Sequence, residues 1–159
     1  MKKLVTAAIF ATTFAAGYAQ AQSAEAKPGN CAVWSEEAAK TVRADARFDA
    51  ELKTEVADAL DTFAKAQRKI MAGGMAKTYA DSKAFGWDKA KVDQMIAQNE
   101  DAMRAGFRTS TMEENKLYMD HLMAINNCIQ ANPNDNQYGM SRADFIASLE
   151  KTIPIVRGG

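Results

Sequence analysis

Apolar side chains recur along this chain at intervals of three and four residues, and no stretch alternates convincingly between apolar and polar, so the pattern predicts helices and no strands. Ser35 followed by Glu36 and Glu37 offers a polar cap and early acids that suit the positive end of a helix dipole. A first short helix to about Ala46 is expected there. Asp49 can cap a second, in which Leu52, Val56, Leu60, Phe63 and Ile70 form one buried stripe. Gly73 and Gly74 predict its end, because glycine accepts the left-handed conformation that closes a helix and loses most entropy when held helical. A short helix from Met75 to Phe85 is expected next. Gly86 and Asp88 then mark a stop and a start, and Val92, Met95, Ile96, Met103 and Phe107 make the following apolar face.

Further along, Ser110 or Thr111, with Glu113 or Glu114 reaching back, reads as the cap of another helix. Its apolar side is broad: Tyr118, Leu122, Ile125 and Ile129 lie in line, with Met119 and Met123 beside them, so this element is expected at the bundle centre. Cys128 falls in its last turn. Asn132 to Asn136, which include Pro133, predict a loop. Ser141 with Asp144 opens a last helix carrying Phe145, Ile146 and Leu149, stopped before Pro154. The expected fold is all-α, an antiparallel helical bundle with about four main helices plus short ones.

The beginning of the chain reads differently. Lys2 and Lys3, an uncharged stretch from Leu4 to Ala16, and small residues at Gly17, Ala19 and Ala21 have the layout of a secretory signal. The apolar stretch is shorter than the roughly 20 residues a permanent span needs, so cleavage after Ala21, or else after Ala19, is expected rather than anchoring. Pro28, Gly29 and Asn30 ahead of Cys31 do not suit lipid modification of that cysteine. The expected organisation is a signal peptide at 1–21, a flexible lead at 22–30, a bundle domain at 31–153 and a loose tail at 154–159. A periplasmic or secreted location follows.

Export changes the reading of the only two cysteines, Cys31 and Cys128, which in an oxidising compartment are most simply one disulfide. In the chain-entropy picture the closed loop of about 97 residues gives at most roughly 4 to 5 kcal/mol of stability. Two free thiols or a bridge between chains remain the alternatives, and no C-x-x-C spacing suggests redox catalysis. Charge adds an exclusion. The chain has 20 basic and 20 acidic side chains; loss of Lys2 and Lys3 leaves 18 against 20. With no basic cluster, electrostatic capture of nucleic acid is not expected.

Candidate chemistry is sparse. His121 is the only histidine, and position 118, where a bundle carboxylate site would need glutamate, is tyrosine. Neither that site nor a conventional zinc set is available, and His121 reads as a surface or partly buried polar residue. Among nine methionines, Met119 and Met123 share a helical face, Met112 lies seven residues before Met119, and Met71 and Met75 form a second pair. Such stripes mostly fill cores. The alternative is copper(I) binding through Met112, Met119 and Met123. Glu36 with Glu37, Glu113 with Glu114, and Asp81 suggest a further alternative, a small envelope hydrolase working through paired carboxylates. Acid pairs at helix starts, however, usually serve the dipole.

Aromatic residues give the remaining lead. Trp34, three residues after Cys31, reads most simply as packing against the disulfide. Phe85 and Trp87 flank Gly86 in a turn, where Trp87 is either a surface anchor or a plug for the end of the bundle. The candidate interaction residues are therefore Trp87, Phe85 and Trp34. The expected role is non-enzymatic: a binding or interaction protein of the bacterial envelope, of chaperone, inhibitor or immunity type. It needs no cofactor, and its partner is another envelope protein, with no nucleic acid and no stable membrane anchor.

Overall fold

The computed structural model describes residues 26–109 and 115–158. The expected signal peptide at 1–21, the expected cap at Ser110 or Thr111 with Glu113 or Glu114, and Met112 lie outside the described residues. Within them the chain is helical throughout and contains no strand: α1 (Pro28–Ala44), α2 (Ala50–Lys83), α3 (Lys89–Thr109), α4 (Met119–Ala131), α5 (Arg142–Glu150) and α6 (Ile153–Gly158), with one 3-10 turn at Asp135–Gln137. Four main helices and two short ones form an antiparallel bundle, and Cys31 is bonded to Cys128.

Specific contacts set the directions. Along the α1–α2 hairpin, Arg43 meets Asp61 at 2.7 Å near the turn, Arg68 meets Glu36 at 2.9 Å further out, and Gly29 lies against Met71. α3 returns antiparallel to α2: the Tyr79 hydroxyl donates to Asp93 at 2.6 Å, and Arg68 pairs with Glu100. α4 runs opposite to α1, tied by the disulfide at one end and by the Leu117 N–H donating to Asp45 at 2.9 Å at the other. α5 lays Phe145 on Phe63 of α2, with ring centroids 4.8 Å apart.

The central helix is α1 and not, as the sequence suggests, α4. Cys31, Ala32, Val33, Trp34, Ser35, Glu37, Ala38, Ala39 and Val42 are all buried, which covers most of the circumference of α1. A helix buried over most of its circumference meets several neighbours, and small side chains let their backbones approach. Trp34, retaining only 8% of its exposure, joins Cys31 and Cys128 in the core, so it offers a partner little surface.

Other boundaries differ as well. α1 begins at Pro28 rather than Ser35, so the expected lead is already helical over Pro28, Gly29 and Asn30. Proline is at ease there, because the first turn leaves its missing N–H without consequence. α2 runs unbroken through Gly73 and Gly74, neither of which has a positive φ, and the expected separate helix from Met75 is its final section. Inside a helix each glycine costs roughly 0.5 to 1 kcal/mol against alanine, too little to break a helix that α3 packs along. The true stop is Gly86, with φ at 76°.

Instead of starting near Ser110, α4 starts at Met119. Leu117 is held outside the helix by two bonds: its N–H donates to Asp45 and its carbonyl accepts from Arg47 at 2.6 Å. The expected loose tail is largely α6, with Pro154 in its first turn and Val156 buried. Two expected caps are in place: Asp49 accepts the Leu52 N–H at 2.8 Å and Ser141 accepts the Asp144 N–H at 3.0 Å. No described helix is long and apolar enough to cross a membrane.

Candidate functional site

Because α1 begins level with Met71, the outer parts of α2 and α3 outrun it. They form a two-helix arm with the Phe85–Gly86–Trp87 turn at its tip. The approach at its base is close: a Cβ on Gly29 would lie 2.8 Å from the Met71 sulfur. Between Arg68 and Gly106 the only buried residue is Val92. The four exposed large apolar side chains among the described residues all sit here: Ile70 (37%), Phe85 (75%), Trp87 (41%) and Met95 (39%). Ile70 was expected in a buried stripe and Met95 on an apolar helix face, and with no third described helix over them both are exposed.

Trp87 closes one side of a groove of about 470 Å³, whose apolar lining is Met71, Met75, Val92, Met95 and Ile96, with Pro28 at the α1 end. The Phe85 ring lies beside it, 6.1 Å from the Trp87 ring. Charges on the arm are locally matched. Lys77 pairs with Asp81 and Lys89 with Asp93, each one turn apart, while Asp88 caps α3 by accepting the Lys91 N–H at 2.8 Å. The Tyr79 hydroxyl donates to Asp93, which pushes its pKa up.

An ion-pair network roots the arm in the bundle. Arg68 donates to Glu36 and to Glu100, and Arg104 reaches Glu36 at 3.1 Å and Glu100 at 3.2 Å, so α1, α2 and α3 share four half-buried charges. Bonds to Glu36 and Glu100 hold the Arg68 pKa above its ordinary value against the opposing effect of burial.

The remaining candidates are placed elsewhere. His121 is buried, contrary to expectation, with its ring stacked 3.9 Å from that of Phe107. Nδ1 accepts the Tyr118 N–H at 3.4 Å, so Nε2 carries the proton and donates to the Phe107 carbonyl at 3.0 Å. Burial lowers its pKa, although Asp120 and the Phe107 carbonyl pull the other way. Of the expected carboxylate pairs, Glu36 belongs to the network at the arm's root, Glu37 is buried and bonded to Lys40 at 2.7 Å, and Asp81 is paired with Lys77. Arg104 also comes within 4.0 Å of Glu37, so Glu36 and Glu37 share a basic partner, while Asp81 stands apart on the arm.

Met119 and Met123 lie partly buried on α4, whereas Met71, Met75 and Met95 converge on the groove. Among the described residues no three of His, Cys, Asp or Glu cluster as a metal site. A second cleft, of about 620 Å³, lies between α4 and α5–α6, lined by Leu122, Ile129, Ile146 and Ile153 together with Arg142 and Glu150. No known family matches the chain, and neither does any curated protein or any solved structure.

Proposed function

We propose that this chain is an exported, non-enzymatic binding protein of the bacterial envelope, periplasmic or secreted, that engages another protein through the tip and groove of its arm. The observation that carries this reading is the gathering of every exposed large apolar side chain among the described residues onto that one arm. Burying a side chain the size of Phe or Met is worth about 1.5 to 3 kcal/mol, so an apolar patch left open has a strong tendency to be covered by a partner. Exposed aromatics at a rigidly rooted tip suit the anchor role that dominates protein interfaces. Export is supported by the leader-like first 21 residues and by the disulfide.

The test is a photo-activated cross-linking residue at position 85, in cells exporting the protein, with the same residue at the exposed Asn136 as control. Defined adducts from position 85 and none from position 136 are expected. Equal labelling at both positions, or none at either, would remove the arm as the contact surface.

One observation favours a second reading, copper(I) binding: three thioethers, those of Met71, Met75 and Met95, line the groove. Soft neutral donors of this kind select copper(I). Dialysis against copper(I) tests it. Binding lost in Met75→Leu with Met95→Leu, and kept in Met119→Leu with Met123→Leu, supports it, while stoichiometry below one per chain ends it.

A further inference from the structure

We infer that the arm's partner is the arm of a second copy of this chain, the two α2–α3 hairpins together completing a four-helix bundle. The inference deepens the binding reading above and rests on it. Two antiparallel helices with one apolar face are geometrically half of such a bundle, since each helix buries its stripe only when other helices cover it. The chain's own α1 covers α2 only as far as Met71. Ahead of it, Gln22 to Lys27 carry no large apolar side chain that would fill the rest.

Shape supports a two-fold arrangement. A symmetric pair uses the same patch on both copies, so the patch must contain both a projection and a recess. Phe85 is the projection, and the groove behind Trp87 is the recess beside it. A two-fold axis carries each Phe85 toward the other copy's groove, where the flexible side chains of Met71, Met75 and Met95 adapt to it.

Charge supports the same occupant. Between residues 77 and 93 the arm has four lysines and three aspartates, interleaved along the chain. Two copies therefore meet without the repulsion that a single-sign surface would impose. An anionic lipid surface, by contrast, is recognised by a clear excess of lysine or arginine.

Size sets the strength. The 14 residues of α2 from Ile70 to Lys83 rise about 21 Å, and two helices side by side are about 20 Å wide, giving a face of roughly 400 Å² per copy before its corrugation is counted. Standard interfaces bury about 800 Å² per partner, so association should be reversible and concentration-dependent rather than obligate.

Sedimentation velocity on the disulfide-intact chain, secreted and freed of residues 1–21, tests this over concentrations from about 1 to about 500 µM, spanning the range of weak association. A monomer–dimer equilibrium is expected. Phe85→Asp should raise the dissociation constant at least about tenfold, as loss of an anchor aromatic does, with the far-ultraviolet spectrum and thermal midpoint of the monomer unchanged. Met95→Asp should act in the same direction, and Asn136→Asp should not.

A protein that stays monomeric throughout, or a dimer indifferent to both arm substitutions, overturns the inference. The cross-linker at position 85 separates the two levels of the argument. Adducts of twice the chain mass support the second copy, and adducts of other masses with a monomeric protein leave the binding reading while removing the dimer. A cross-link from position 85 to the chain's own leader removes the dimer as well. No adduct and no dimer together remove both.

Discussion

Replacing Gly73 and Gly74 by alanine should stabilise the protein, although the sequence alone predicts the reverse. Both residues lie inside α2 with ordinary helical backbone, and a Cβ at either would meet nothing within 4 Å. The substitution adds no clash and narrows the unfolded ensemble, worth about 0.5 to 1 kcal/mol per glycine. Adjacent helical positions do not face one another, so the two gains should add, to about 1 to 2 kcal/mol. For a domain of this size that raises the thermal midpoint by several degrees, on the order of 4 to 8 °C.

The arm buries only Val92, so its amides should exchange through local opening before the bundle unfolds, and the gain should appear first there. Urea unfolding followed by circular dichroism, disulfide intact, reads the global effect, and hydrogen exchange over residues 70–96 reads the local one. If the glycines instead held the left-handed conformation of a helix end, the double variant would lose about 1 kcal/mol or more. That result would refute the unbroken α2 and with it the arm.

Three further outcomes are expected. Asp45, buried and accepting from the Arg47 guanidinium and the Arg47 and Leu117 N–H groups, should cost about 3 kcal/mol in urea unfolding when changed to Asn; the low end of a broken buried pair applies because Arg47 stays 18% exposed and keeps its bond to the Leu117 carbonyl. A loss below about 0.5 kcal/mol would show that this junction does not hold the turn before α4. Acid should weaken the protein in two windows. Burial lowers the His121 pKa, so its contribution is complete above the unfolded value of 6.5 and declines as pH falls from there toward the folded one. Burial pushes the Asp45 carboxyl up, but the Arg47 guanidinium and the two N–H donors outweigh it and hold it down, so its contribution is complete above 3.8 and lost at lower pH. Stability measured against pH should lose the upper window in His121→Gln, and the lower one should shrink in Asp45→Asn, with Glu55 and Asp93, which are also held down by their partners, keeping part of it; an unchanged profile in either contradicts the assignment. Leu122→Ala should cost about 2 to 3 kcal/mol in urea unfolding, near the low end for buried leucine because the side chain borders the cleft between α4 and α5, and a loss below about half a kcal/mol would place that face wrongly.

What the sequence disclosed was local. Asp49, Ser141 and the Gly86 turn were legible because a cap or a left-handed residue acts within one turn of the backbone. The disulfide was legible from the cysteine count together with the leader-like composition of the first 21 residues. The centrality of α1 was not, because its burial is carried by Ala32, Ser35, Ala38 and Ala39, whose small size rather than apolarity admits neighbours. The start of α4 was hidden because it depends on Asp45 and Arg47, about seventy positions before Leu117. Part of the candidate site was visible in Phe85 and Trp87 flanking a turn glycine. The exposure of Ile70 and Met95 was not, since a helical stripe has the same periodicity whether or not a third helix covers it, and here the start of α1, with Gly29 against Met71, sets how far α2 is covered.

Intact mass and peptide mapping of the protein recovered from the periplasm or medium of an exporting cell test the central claim most directly. The account predicts a chain beginning at or near Gln22, two hydrogens lighter than its reduced sequence, with a single linked peptide pair joining Cys31 to Cys128. Recovered protein that retains residues 1–21, or carries both sulfurs as thiols, would contradict it.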